Sequence, residues 1–248
     1  MILVDVHAHM DVFEPAELGV IMEKADKVGL KTIITNGINP RTNRTSLELA
    51  KRYKIVKPAL GLYPTNALEM TMAEVDEELD FILKNKSKIV AVGEVGLDYY
   101  WQTDKNKEQQ VVFEKVIKLC EKINKPIIVH SRKAEEDVIS MLESSGLKKV
   151  IMHCFGGRLS LAKRCRDYGW MFSIPTNVVR ATGFQRLVEE LPMSQILTES
   201  DSPYLGPVGN EKNDPTNVLF AVQKIAEIKK LDAEECSKLL YMNYQKLF

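Results

Sequence analysis

His7 and His9 stand two apart in the stretch VDVHAHMD, at the end of the apolar run that opens the chain. On an extended strand, residues two apart leave the same face, with their Cα atoms at most roughly 7 Å apart. Two imidazoles so placed can share one metal ion. Taken alone, such a pair is more often a surface or hydrogen-bonded pair, so the rest of the chain has to decide. The other two of its four histidines, His130 and His153, each close an apolar, β-branched run, PIIVH and KKVIMH. Carboxylates recur in the same setting: Glu94 closes KIVAVGE and Asp201 follows QILTES. Either acid alone could be a helix cap or half of a salt bridge. Beside imidazoles, it can bridge two cations or take a proton from bound water.

Weaker features surround these six residues. Gly93-Glu94-Val95-Gly96 lacks the third glycine and the strand-to-helix setting of a dinucleotide fingerprint, so a nicotinamide site is rejected. Ser131 and Cys154 follow His130 and His153 but, with those imidazoles given to metal, lack a free base, which favours packing or hydrogen-bonding roles over nucleophilic ones. Arg132 either holds a phosphate bidentately or is a solvated arginine at a helix start. Tyr99, Tyr100 and Trp101 lie in a loop after the fourth strand, where they stack a base or pack as core or lid.

The elements that must position these side chains alternate along the whole chain. Short β-rich runs fall over 3–7, 32–35, 56–60, 89–94, 126–130, 150–153, 171–174 and 195–199. Between them, residues 15–28, 42–53, 72–85, 106–123, 135–143 and 159–168 carry apolar positions at helical spacing; Val112, Val116, Leu119, Cys120 and Ile123 make the clearest stripe. Strands that are apolar on both faces suit a parallel sheet wrapped by helices. Eight such units predict an α/β fold, a TIM-type (β/α)8 barrel in a single domain over residues 1–248, with a doubly wound open sheet as the alternative. In a barrel every strand C-terminus lies on one rim, so all four histidines and both acids converge there. Residues 215–248 read as two further helices, the second N-capped by Asp232 and covering the last seam.

Composition narrows the class. The chain has 248 residues, with 34 basic against 34 acidic side chains and a net charge of zero, so no global field draws it to polyanions. Four cysteines without C-x-x-C spacing point to a reduced, intracellular protein. With no signal-peptide pattern and no apolar stretch near membrane-spanning length, a cytoplasmic protein without membrane contact is expected. Nothing calls for an obligate protein partner.

Taken in order from residue 4 to residue 248, DVHAHMD, VGEVGLDYYW, PIIVHSR, IMHCFGG, LTESDSPYL, NDPTNV and NYQKLF resemble the TatD family of metal-dependent deoxyribonucleases, within the amidohydrolase superfamily. The resemblance implies that His7, His9, Glu94 and Asp201 hold one divalent ion and Glu94, His130 and His153 a second, with Glu94 as the bridge. Related hydrolases fill that bridging place with a carbamylated lysine; Glu94 makes the modification unnecessary. Asp201 and Glu94 are the catalytic residues it implies, Asp201 also serving as general base toward the bridging water. Imidazole-rich ligation suits Zn²⁺, whereas phosphoryl transfer from DNA commonly uses Mg²⁺ or Mn²⁺.

Two segments depart from the family pattern. Gly61-Leu62-Tyr63-Pro64-Thr65 stands where many members have G-x-H-P-H, and Gly209-Asn210-Glu211-Lys212-Asn213-Asp214-Pro215 lacks the arginine of R-G-x-x-N-x-P. Tyr63, Thr65 and Arg132 are therefore the candidates for substrate contact. The expected activity is hydrolysis of DNA phosphodiester bonds, 3′–5′ exonuclease-like on single strands or DNA ends. An end entering the rim suits a chain without basic runs better than a duplex lying in a groove. Two other readings stand beside it: the same centre acting on a small ester, lactone, amide or phosphoester, and a non-catalytic barrel whose metals stabilise a binding surface.

Overall fold

The computed structural model describes residues 1–209 and 211–248. Its strands are β1 (Leu3–Ala8), β2 (Leu30–Asn36), β3 (Val56–Leu60), β4 (Ala91–Asp98), β5 (Ile127–Arg132), β6 (Val150–His153), β7 (Met171–Pro175) and β8 (Ile196–Glu199). They run parallel in that order, each hydrogen-bonded to the next. One inward side chain per strand, Val6, Ile34, Ala59, Ala91, Ile128, Ile151, Met171 and Leu197, packs into a dry layer, which makes the interior a filled core rather than a pore. At the remaining seam Thr198 Oγ1 donates to Val4 O at 2.7 Å and Asp201 N to His7 O at 2.9 Å. The sheet is thus a near-closed α/β barrel.

Around it lie α1 (Pro15–Val28), α2 (Pro40–Arg52), α3 (Pro64–Ala67), α4 (Met72–Lys84), α5 (Asn106–Ile123), α6 (Glu135–Ser145), α7 (Leu159–Asp167), α8 (Thr182–Glu190), α9 (Val218–Lys229) and α10 (Ala233–Leu247). Local signals start them: Asn39 caps α2 by accepting from Thr42 N at 3.0 Å with Pro40 following, and Thr71 and Glu74 form a capping box on α4. Asp232 caps α10 through Glu234 N (2.8 Å) and Glu235 N (3.2 Å), as the sequence predicts. The end of α10 does more than cover a seam. Tyr244, Leu247 and Phe248 pack against the interior layer, and Asn243 Nδ2 donates to Ile196 O at 2.8 Å, so the C-terminus stoppers the barrel opposite the histidine rim.

The fourth strand differs from expectation. Sequence pattern ends it at Glu94, whereas β4 runs on to Asp98. Glycines interrupt the apolar run on which that reading rests, and packing demands them. A Cβ on Gly93 would lie 2.7 Å from Ile128 Cβ, and one on Gly96, at φ +139°, would lie 2.0 Å from His130 O. The register with β5 shifts between Val92 and Val95 and then resumes through Asp98 opposite Arg132, which also carries β5 two residues past His130. Glu94 therefore sits at an irregularity inside a strand, and Asp98 ends it. The short α3 and the helix α8 also have no counterpart in the periodicity reading. Among the described residues no helix is long and apolar enough to cross a membrane.

Candidate metal centre

Each arm of the rim is anchored from below. Asp5, fully buried in β1, accepts from His7 N (3.1 Å), Ser200 N (3.0 Å) and Ser200 Oγ (2.5 Å), tying β1 to the chain just past β8. Asp201 follows with a left-handed backbone, φ +52°, and faces the two histidines of β1. Four donor atoms then meet. His7 Nε2 lies 3.4 Å from His9 Nε2, 3.4 Å from Glu94 Oε2 and 3.7 Å from Asp201 Oδ1; His9 Nε2 lies 3.4 Å and 3.6 Å from the same two oxygens. Donors ~2.1 Å from a common tetrahedral centre sit about 3.4 Å apart, so His7, His9 and Asp201 are spaced closely enough to share an ion, with Glu94 Oε2 equally near both imidazoles. The other carboxylate oxygen, Glu94 Oε1, lies 3.1 Å from His130 Nδ1 and 3.8 Å from His153 Nε2, a second group able to hold an ion.

The far side of most rings is held. His9 Nδ1 faces Asn36 O at 3.2 Å, His130 Nε2 faces Asp98 Oδ2 at 3.0 Å, and His153 Nδ1 faces Glu199 Oε2 at 2.8 Å. A ring N–H donated to each of these acceptors leaves the opposite nitrogen's lone pair pointing at the cluster, the arrangement that orients imidazole ligands. His7 Nδ1 is buried without a hydrogen-bond partner among the described residues, and its ring stacks on His153 at 3.6 Å between centroids.

Protons on the imidazoles offset the buried carboxylates. Burial pushes the Glu94 carboxyl up, but the imidazoles of His130 and His7 outweigh it and hold the acid well below its usual range. Burial likewise disfavours charge on His9 and His153; the Asp201 and Glu94 carboxylates raise His9 to about 9, and Glu199 raises His153 to about 10. Burial, with the neighbouring His153 charge, lowers His7 to about 4. Carboxylates thus retain protons on buried imidazoles that divalent ions would displace.

Residues 4–248 match the family described as TatD related DNase. The chain belongs to that family. Among relatives of this TatD chain are the human deoxyribonuclease TATDN3, 34% identical over 99% of this chain and 94% of the relative, and the metal-dependent hydrolase YabD of Bacillus subtilis, 32% identical over 99% and 98%. The crystal structure of YjjV, the TatD homolog of Escherichia coli, matches with a TM-score of 0.92 at 26% identity, covering 99% of this chain and 97% of that one. The chain is a TatD-type metal-dependent hydrolase.

The remaining candidates of this TatD chain fall around one cleft of 810 Å³ over the centre, lined among others by Tyr63, Thr65, Arg132 and Cys154. Tyr63 heads α3, and its hydroxyl lies 2.8 Å from Asp98 Oδ2 and 3.2 Å from His130 Nε2, so it is engaged with His130 as well as facing the cleft. Burial and nearby carboxylates push the Cys154 thiol well up, which disfavours the thiolate. Ser131 Oγ is buried without a partner among the described residues. Asn210, within the segment that lacks the family arginine, lies outside the described residues. Sequence reasoning missed Asp98 and Glu199 as the groups that hold His130 and His153. For Glu199 the signal was available, since it is an acid ending a strand, ILTE, the same cue that singled out Glu94; for Asp98 it was not, because the sequence pattern ends that strand four residues earlier.

Proposed function

We propose that this TatD chain hydrolyses DNA phosphodiester bonds from the 3′ end of single strands, with two divalent ions at the rim. The observation that carries the reading is the division of Glu94, one oxygen toward the His7–His9 pair and the other toward His130 and His153. His7, His9, Glu94 and Asp201 would hold one ion, and Glu94, His130 and His153 the other, as Mg²⁺ or Mn²⁺ in nuclease action or as Zn²⁺. Bound ions supply Lewis-acid polarisation of the phosphoryl oxygen and lower the pKa of water. Asp201, held below its usual carboxylate range because His9 and the other imidazoles outweigh its burial, is ionised and accepts the water proton. The His130 and His153 rings are kept in register by Asp98 and Glu199 while charge develops on the phosphate.

Purified protein with Mg²⁺, Mn²⁺ or Zn²⁺ is expected to shorten a 5′-labelled single-stranded oligonucleotide stepwise. A lactone and a small phosphoester run in parallel test the second reading, favoured by the Tyr63 hydroxyl standing where the family pattern has an imidazole. An oligonucleotide left intact at every metal loading, beside turnover of either small ester, overturns the nuclease reading. Tyr63→Phe removes one donor from Asp98 and frees the carboxylate that orients His130. Metal affinity measured by calorimetry is expected to fall about tenfold at one of two sites; unchanged affinity at both sites would show that the hydroxyl acts on substrate alone.

A further inference from the structure

We propose that the Tyr100–Trp101 turn, with Arg132, is a stacking platform for the nucleobase beside the scissile phosphate. The proposal rests on the phosphodiesterase reading and adds a subsite to it. Asp98 ties the turn to the centre. Its Oδ1 accepts from Tyr100 N (2.9 Å) and Trp101 N (3.0 Å), while its Oδ2 faces His130 Nε2 (3.0 Å). One buried carboxylate thus fixes both the aromatic pair and an imidazole of the metal cluster, and so sets the distance between them.

The two rings meet edge to face at 4.9 Å between centroids. The Arg132 guanidinium lies 4.1 Å from the Tyr100 ring centre and 5.4 Å from that of Trp101, and Trp101 and Arg132 line the same cleft as Glu94 and His130. Trp101 is 61% exposed, whereas the chain's other tryptophan, Trp170, is fully buried, so the Trp101 indole is not serving the core. An exposed indole face takes another flat π-system, and a guanidinium braced on aromatic rings keeps its N–H edge for a bidentate anion. A nucleotide offers both, with the base on the indole and the phosphate on Arg132. Stacking is also the means by which a chain of zero net charge can hold a single strand that no basic tract attracts, and it works for every base.

Tryptophan emission tests this directly, because Trp101 and Trp170 are the only two indoles. Metal-loaded protein is titrated with a cleavage-resistant phosphorothioate oligothymidylate, and again with the terminal thymidines made abasic. Saturable quenching is expected with the first, and about tenfold weaker binding with the abasic strand or with Trp101→Ala. Trp101→Ala is also expected to raise KM on single-stranded DNA about tenfold with kcat little changed, while its remaining Trp170 emission reports an intact core. Cleavage of DNA without quenching, and with equal affinity for intact and abasic strands, overturns the platform and leaves the nuclease reading standing. Quenching by the phosphorothioate strand, with unmodified single-stranded DNA left uncut at every metal loading, overturns the nuclease reading and leaves a base-binding platform without a scissile phosphate beside it. Neither quenching nor cleavage overturns both.

Discussion

Glu94→Ala is expected to lower kcat for phosphodiester hydrolysis by at least about 10³-fold, corresponding to about 4 kcal/mol of lost transition-state stabilisation. The size follows from its position. The carboxylate is buried, and its two oxygens lie 3.1–3.8 Å from nitrogens of four different imidazoles. Losing it takes a donor from both candidate ion sites at once and leaves the histidines without the charge that faces them. Removal of an outlying residue such as Thr65 touches neither site. Steady-state assays with saturating Mn²⁺, beside circular dichroism to verify the fold, measure the effect. A loss of tenfold or less in a folded variant would mean that Glu94 is a structural acid. Glu94→Gln separates charge from shape: it keeps the volume and one acceptor oxygen, so activity near the alanine level would assign the effect to lost charge and bridging.

Stripping divalent metal is expected to lower the melting temperature by roughly 8–16 °C. An ion present at a thousand times its Kd stabilises the folded state by about 4 kcal/mol, and a chain of this size shifts by about 2–4 °C per kcal/mol. The physical source is the packing of Glu94, Asp98, Glu199 and Asp201 around four imidazoles on one rim. Without ions, protons on His9 and His153 must offset these acids, and the half-neutralised cluster remains buried. Melting curves in chelator and after adding back Zn²⁺, Mn²⁺ or Mg²⁺ check this and rank the metals. A melting temperature indifferent to chelation in the unsubstituted protein, with metal-dependent turnover intact, would separate catalysis from stability. In Glu94→Ala most of the metal-dependent shift is expected to disappear.

Much of this is legible in the sequence alone. Eight alternations of apolar run and helical stripe predict the barrel because strand and helix periods are local properties, written within a few residues of one another. The placement of His153 at the end of its strand follows from the same local pattern, whereas His130 lies two residues short of the end of β5. Once the barrel is granted, its geometry brings those ends to one rim. The motif string from residue 4 to residue 248 likewise identifies the TatD family from sequence order alone.

What only tertiary structure decided depends on register between segments far apart in the chain. The shift between β4 and β5 moves Glu94 inside its strand and carries β4 on to Asp98, and no periodicity records it, because glycine is required there by the close approach of Ile128 and His130. That register lets Asp98 reach His130, Tyr63 and the turn at Trp101 together, and the registers of β6, β7 and β8 bring Glu199 to His153 across 46 residues of chain. The same holds for the division of Glu94's oxygens between two imidazole pairs. The types and positions of the chemical groups are properties of single strands, readable in order; which atom faces which is set by packing between strands, where a one-residue slip turns every side chain to the opposite face.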